Sequence, residues 1–146
     1  AAMTEFEINN VARETMFLAQ LAHESGGFRY VQELASGEAY EGRQDLGNTE
    51  PGDGVRFKGR GLIQITGRAN YQAVGEALSH DFIGNPEELE GPTFAARSAA
   101  WFWASRGLNE LADAGDFRRI TKKINGGYNG LADREKYLAK AQEVLA

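Results

Sequence analysis

The stretch "FLAQLAHESGGFRYVQE", residues 17–33, decides how the chain begins to fold. Phe17, Leu21 and Glu24 fall at i, i+4 and i+7, so a carboxylate continues an apolar helical stripe. Upstream, Asn10 precedes "VARETMFLAQLAHE" and has the side chain that accepts from an early backbone N–H at a helix start. Gly26 and Gly27 end the helix, because glycine takes the left-handed conformation of helix C-termini without a Cβ clash. Glu33 comes nine residues after Glu24. On one unbroken helix that spacing sets two side chains about 180° apart, whereas a break at the glycines lets the chain turn Glu33 back toward Glu24.

The two carboxylates have different surroundings. Glu24 sits on the apolar face in a last helical turn, where desolvation and the negative end of the helix dipole favour the protonated form that a general acid needs. Glu33 lies beside Gln32 in a polar segment and reads as the carboxylate that stays charged, a general base. Such a pair suits cleavage of a glycosidic bond. It reads equally well as two ordinary acidic residues at a helix end, and spacing alone leaves both readings open.

Outward from this stretch the pattern is helical on both sides of one irregular middle. Between Ser36 and Gly61 glycine occurs seven times and no helical period survives. A loop of that length inside a domain is functional or disordered. "GLIQIT", residues 61–66, alternates as a short strand would, with Gln64 and Thr66 on one face. Helices are then predicted over "RANYQAVGEAL", over "FAARSAAWFWASRG" with Thr93 as its cap, over "FRRITKKIN" behind Asp116, and over "ADREKYLAKAQEVL". The second of these is apolar nearly all round and reads as a buried central helix that takes Trp101 and Trp103 into the core.

Composition excludes several classes. The chain has 146 residues, no cysteine and two histidines, so disulfides and thiolate chemistry are absent and a histidine-based metal site would have to lean on carboxylates. "HESGG" has no second histidine one turn on, as a zinc-protease helix requires. No apolar run reaches the roughly 20 residues that cross a bilayer, and "AAMTEFEINN" lacks the basic-then-apolar order of a signal peptide. The net charge of −5 argues against a nucleic-acid partner. Charge is uneven, however: residues 1–54 hold 3 basic and 10 acidic side chains, residues 118–146 hold 7 and 3. Glu41 in "YEGR" is a rival for the base or, alternatively, half of a loop-ordering ion pair with Arg43 or Arg60. Tyr30, Tyr40 and Phe57 are placed to flank a cleft, where an aromatic face packs on a sugar ring.

"FLAQLAHESGGFRYVQE" followed by "YEGRQDLGNTEPGDGVRFKGRGLIQITGRANY" resembles glycoside hydrolase family 19, which contains chitinases and many bacteriophage endolysins with a lysozyme-like helical fold. The likeness continues through "AAWFWASRGLN", "ITKKINGG" and "DREKYL", and "DLGNTEPGDG" is nearer the bacterial and phage members than the plant chitinases. The resemblance implies that Glu24 is the general acid and Glu33 the general base of an inverting hydrolysis. Thr66 stands where the family has a serine that holds the attacking water, and it keeps the hydroxyl. Gln64, Asn70 and Asn125 match polar positions of the sugar-binding cleft, and Arg134 matches a cleft arginine.

These readings predict a mainly α, lysozyme-like fold in which a long loop or small β element lines a substrate cleft, with residues 1–146 forming one catalytic domain. The expected substrate is bacterial peptidoglycan, cut at β-1,4 bonds by an endolysin-type enzyme made in a host bacterium and acting on its wall. Chitin is the same-class alternative, and a non-catalytic wall-glycan module the alternative of another class. Substrate contacts fall to Gln64, Asn70, Asn125, Tyr30 and Arg134. No metal or other cofactor, no nucleic acid and no membrane is expected, and a monomer is the default.

Overall fold

In a computed structural model, which describes residues 1–145, helices begin and end where side chains or glycines dictate. The elements are α1 (Ala2–Glu5), α2 (Val11–Glu24), α3 (Asp53–Arg56), α4 (Arg68–Leu78), α5 (Pro92–Ser105), α6 (Leu108–Asp113), α7 (Phe117–Asn125) and α8 (Leu131–Leu145), with short 3-10 turns at Glu38–Tyr40, Gln44–Leu46 and Pro86–Glu90. The chain forms two compact units. One comprises Ala1–Phe28 and the chain from Ala100 onward, the other Arg29–Ala99. Among the described residues no helix is long and apolar enough to cross a membrane.

The first unit is helical. Asn10 Oδ1 accepts from the Arg13 N–H at 2.8 Å and starts α2 as the sequence predicts. At the other end the Ser25 hydroxyl donates to the Leu21 carbonyl and accepts from the Phe28 N–H, while Gly26 and Gly27 take φ of 62° and 78°. Met16, Phe17, Ala19, Leu21 and Ala22 are buried, and α2 packs along α8. Phe17 meets Trp103 edge-on at 5.4 Å between centroids. Burying a side chain of this size stabilises by about 1.5–3 kcal/mol. The Trp103 indole N–H donates to Asn109 Oδ1, whose amide donates in turn to the Phe6 carbonyl, so the buried ring leaves no orphan donor. Arg13 forks onto Asp113 of α6, and Asp116 caps α7 by accepting from the Arg119 N–H. Asp113 is held below the ordinary carboxylate range by the Arg13 hydrogen bond.

The second unit carries its order in polar contacts. Its core is Phe57, Tyr71, Val74, Leu78, Phe82, Leu89 and Ala95, with Phe57 and Tyr71 edge-to-face at 5.0 Å. The glycine-rich loop carries only two short 3-10 turns and the single turn of α3, and polar contacts order the rest. Glu41 accepts from the N–H groups of Gly52 and Gly54 at 3.0 and 2.9 Å. Gly54 has no room for a side chain, since a Cβ there would lie 2.6 Å from the Glu41 nitrogen. Arg68 binds buried Asp53 through two nitrogens and reaches Glu50, and Asn48 ties the Tyr40 carbonyl to the Arg68 N–H.

Four expectations are corrected here. Glu41 pairs with backbone amides instead of a cation, because Arg43 is taken by Asp45 and Arg60 by Glu90. Phe57 is fully buried and flanks nothing. "GLIQIT" is not a strand: Arg60 and Ile65 form one antiparallel bridge around a tight turn, and Arg60 bridges Gln32 on its other side. The turn forms because Gly61 and Gln64 both adopt positive φ, 83° and 61°, which alternation in the sequence does not reveal. Finally, α5 starts at Pro92, so Thr93 lies in its first turn; proline suits that position because its missing N–H would have had no helical partner.

Candidate active site

Glu24 closes α2, and its environment is ionic where an apolar one was expected. Its Oε1 receives Arg134 Nη2 at 2.7 Å, with the carboxylate side chain 21% exposed and the arginine side chain 1%. The sequence shows the apolar stripe but not this partner, which arrives from α8 more than a hundred residues later. Arg134 uses its other nitrogens too: Nη1 donates to Gln20 Oε1 at 2.6 Å and Nε to the Asn129 carbonyl at 3.1 Å. One turn of α2 therefore presents Gln20 and Glu24 to a single planar guanidinium, a geometry that a lysine ammonium does not reproduce. Next to them His23 Nδ1 lies 2.7 Å from Asp133 Oδ2. Gly130, at φ 73°, backs directly on the His23 ring, with which a Cβ would collide. Consecutive residues of α2 thus engage consecutive residues of α8.

Glu33, in the other unit, is held by short loops. Its backbone N–H donates to the Gly59 carbonyl at 2.9 Å, and the Gly59 N–H returns a bond to Glu33 Oε1 at 2.6 Å. Oε2 accepts from the Tyr40 hydroxyl at 3.0 Å. Burial first, and this bond second, push the Tyr40 phenol above its ordinary value. Both carboxylate oxygens are thereby oriented, and each keeps a lone pair for a further donor.

Gly59 also brings the remaining polar groups of this unit together. A Cβ on it would meet Gln64 Oε1 at 2.9 Å and Thr66 Oγ1 at 3.3 Å, so these side chains lie against the segment that binds Glu33. The Thr66 hydroxyl donates to the Gln64 carbonyl, the Gln64 amide to the Gly61 carbonyl, and Asn70 Nδ2 from the first turn of α4 to the Thr66 carbonyl at 2.8 Å. Gln64 holds its left-handed backbone at φ 61°, a conformation that costs a non-glycine residue about 1–3 kcal/mol.

Of the residues singled out from sequence, Glu33, Gln64, Thr66 and Asn70 gather in the second unit. Tyr30 is there too, 39% exposed. Glu24 and Arg134 meet in the first unit, and there Arg134 is too buried to present itself to a sugar: it holds the carboxylate instead. Asn125 ends α7, is exposed, and accepts from the Asn129 N–H at 3.3 Å. Sequence reasoning missed Gly59 and Tyr40 as partners of Glu33, and Gln20 as the partner of the arginine that holds Glu24. The signal for Gln20 was present, since it is one helical turn before Glu24; for Gly59 and Tyr40 only the fold supplies it.

Comparison with known proteins adds an independent line. The family model described as chitinase class I matches residues 8–113. A glycosyl hydrolase family 19 domain-containing protein of Haemophilus influenzae is 33% identical, over 87% of this chain and 77% of that protein. An Arabidopsis thaliana endochitinase is 38% identical over 75% of this chain but only 38% of its own length. In three dimensions, chitinase C from Streptomyces griseus superposes with a TM-score of 0.80, covering 99% of this chain and 65% of that one at 24% identity, and so shares the mainly helical fold expected above.

Proposed function

The chain belongs to glycoside hydrolase family 19, and from that premise we propose that it hydrolyses β-1,4 bonds of bacterial peptidoglycan by inversion, as a single catalytic domain. Glu24 is the general acid that protonates the leaving glycosidic oxygen, a role it takes from the family resemblance and not from the apolar setting expected of it, which the Arg134 ion pair replaces. Glu33 is the general base that takes a proton from the attacking water. The observation that carries the reading is the setting of Glu33: a carboxylate clamped on both oxygens by Gly59 and Tyr40, with the hydroxyl of Thr66 and the amide of Gln64 against the same glycine. Glu41 is also clamped on both oxygens, so what distinguishes Glu33 is the Thr66 hydroxyl and Gln64 amide gathered against the glycine that binds it.

Each residue takes one part. Thr66, with its hydroxyl proton on the Gln64 carbonyl, offers its oxygen as acceptor to the attacking water. Gln64, Asn70, Asn125 and Tyr30 contact the sugars, and Arg134 keeps Glu24 in place. No step calls for a metal or other cofactor, since carboxylates and water supply every proton and the nucleophile.

Peptidoglycan is put first because "DLGNTEPGDG" is nearer the bacterial and phage members of the family than the plant chitinases. Chitin is the second reading, favoured by the names of the plant relative and of the structural neighbour. Parallel digests of purified peptidoglycan and chitin oligosaccharides, with products read by mass spectrometry, separate them. Muropeptides from the wild type and none from Glu24→Gln support the proposal. Chitin fragments alone move the substrate to chitin, and products from neither polymer contradict the enzymatic reading in favour of a glycan-binding module.

A further inference from the structure

Glu24 faces Arg134, but two side chains buried beneath them decide how Arg134 faces Glu24. Gln20 and Thr121 are both fully buried. The Thr121 hydroxyl donates to the Phe117 carbonyl one turn back in α7, at 3.1 Å. A hydroxyl has one proton, so toward any other neighbour Thr121 Oγ1 is an acceptor. Gln20 Nε2 donates to it at 2.9 Å. With its NH₂ committed there, the amide points its oxygen the opposite way, where it accepts from Arg134 Nη1 at 2.6 Å. A flipped amide would set NH₂ against the guanidinium, donor against donor in a buried place, which costs the full desolvation of both groups. The polarity of each link is therefore fixed by the one before it, from the Phe117 carbonyl through Thr121, Gln20 and Arg134 to Glu24.

We propose that Thr121 and Gln20 are positioning residues for the general acid: the Thr121 hydroxyl fixes the amide orientation of Gln20, which locks the Arg134 guanidinium in the one setting that leaves Nη2 on Glu24. Neither side chain reaches solvent, so neither contacts a substrate. The proposal rests on the assignment of Glu24 as the acid. Its consequence is that Thr121, remote from any sugar, governs the rate of the chemical step and not the strength of binding.

Thr121→Val and Thr121→Ser test this, because valine keeps the shape of threonine without the hydroxyl and serine keeps the hydroxyl without the methyl. On whichever polymer the wild type cleaves, Thr121→Val lowers kcat about 10-fold with KM within about twofold, as expected when a reacting group is misplaced and binding contacts are intact. Thr121→Ser restores kcat to near the wild-type value. A purely structural role for Thr121 moves the melting temperature in both variants but leaves kcat alone well below melting. The same proteins, labelled with ¹⁵N at arginine, give a second readout that needs no activity. The Arg134 Nη–H signals are resolved and slow to exchange in the wild type and in Thr121→Ser, and averaged in Thr121→Val. Unchanged kcat in Thr121→Val, equal impairment of the two variants, or averaged Arg134 signals in the wild type overturns the proposal. A wild type inactive on both polymers, with protected Arg134 signals lost only in Thr121→Val, removes the acid assignment and leaves the orientation chain supported.

Discussion

The two carboxylates are held by opposite means. Glu24 is on a long helix and is fixed by a partner far away in sequence, a guanidinium from α8 that is held in turn by Gln20 of α2 and, through Gln20, is linked to Thr121 of α7. Glu33 is in a loop and is fixed by groups of the surrounding loops, a backbone amide 26 residues on and a phenol 7 residues on, with almost no regular structure. The first arrangement depends on helix packing, so damage to the core of that unit reaches the site. The second depends on backbone shape at glycines, so the site can be damaged with little loss of core stability.

The comparison breaks most sharply at the carboxylates themselves. Glu33→Gln and Glu24→Gln each keep shape and remove the acid–base function proposed for them. Either is expected to lower kcat by about 10²–10⁴-fold with unchanged circular dichroism; activity near wild type in either variant would remove that residue from its role. Next, the helical clamp should fail as a folding problem. Arg134→Leu leaves Gln20 Oε1 and the Asn129 carbonyl without their donor, and breaking a buried ionic contact costs about 3–5 kcal/mol. Urea titration should show that loss together with loss of turnover, and a stable but inactive variant would show that Arg134 serves Glu24 without supporting the fold.

The loop clamp should fail the other way. Tyr40→Phe removes one charge-assisted hydrogen bond from Glu33, worth about 1.5–3 kcal/mol to the group it holds. A fall in kcat of about tenfold or more is expected with a melting temperature within a few degrees of wild type, and equal losses in both would erase the distinction between the units. Gly59→Ala is a milder version. Its methyl group pushes on the end of the Gln64 side chain, which can yield, so a few-fold rise in KM is expected.

The smallest effect concerns pH. Asp53 is held below its ordinary value of 3.8, chiefly by its hydrogen bond from Arg68. A carboxylate depressed in the folded state stabilises fully above its unfolded pKa and loses that contribution as pH falls toward the folded value. The wild type should therefore lose stability below about pH 4 more steeply than Asp53→Asn, measured by thermal melts from pH 7 to pH 2.5. Parallel curves would mean that Asp53 contributes nothing to the acid sensitivity of the loop.

Legibility in the sequence follows the same division. Helix starts at Asn10 and Asp116, the stop at Gly26 and Gly27, and the burial of Trp103 could all be read, because caps and periodicity are local signals. Glu24 and Glu33 stand out in the sequence as well, one from the helical stripe and the other from its position after the break, and their roles are those proposed above. What could not be read were partners. Nothing local in "HESGG" announces Arg134, and nothing in "YEGR" shows that Glu41 spends its oxygens on Gly52 and Gly54 while the neighbouring arginines pair elsewhere. Gln64 misled for a related reason: alternation suggested a strand, but a positive φ beside Gly61 bent the segment into a turn and set Gln64 against Gly59. Long-range pairing and left-handed backbone at non-glycine residues leave no periodic trace.

The most direct test of the acid and base roles is the anomeric configuration of the first product, followed by ¹H NMR from the moment of mixing with N-acetylglucosamine oligomers or solubilised peptidoglycan strands, whichever the protein cleaves. A general base that activates water on the far face of the sugar gives the α-anomer first, with the β-anomer growing in by mutarotation. A first product in the β configuration would mean a double displacement, and the assignment of Glu33 as the base for a direct attack by water would be wrong.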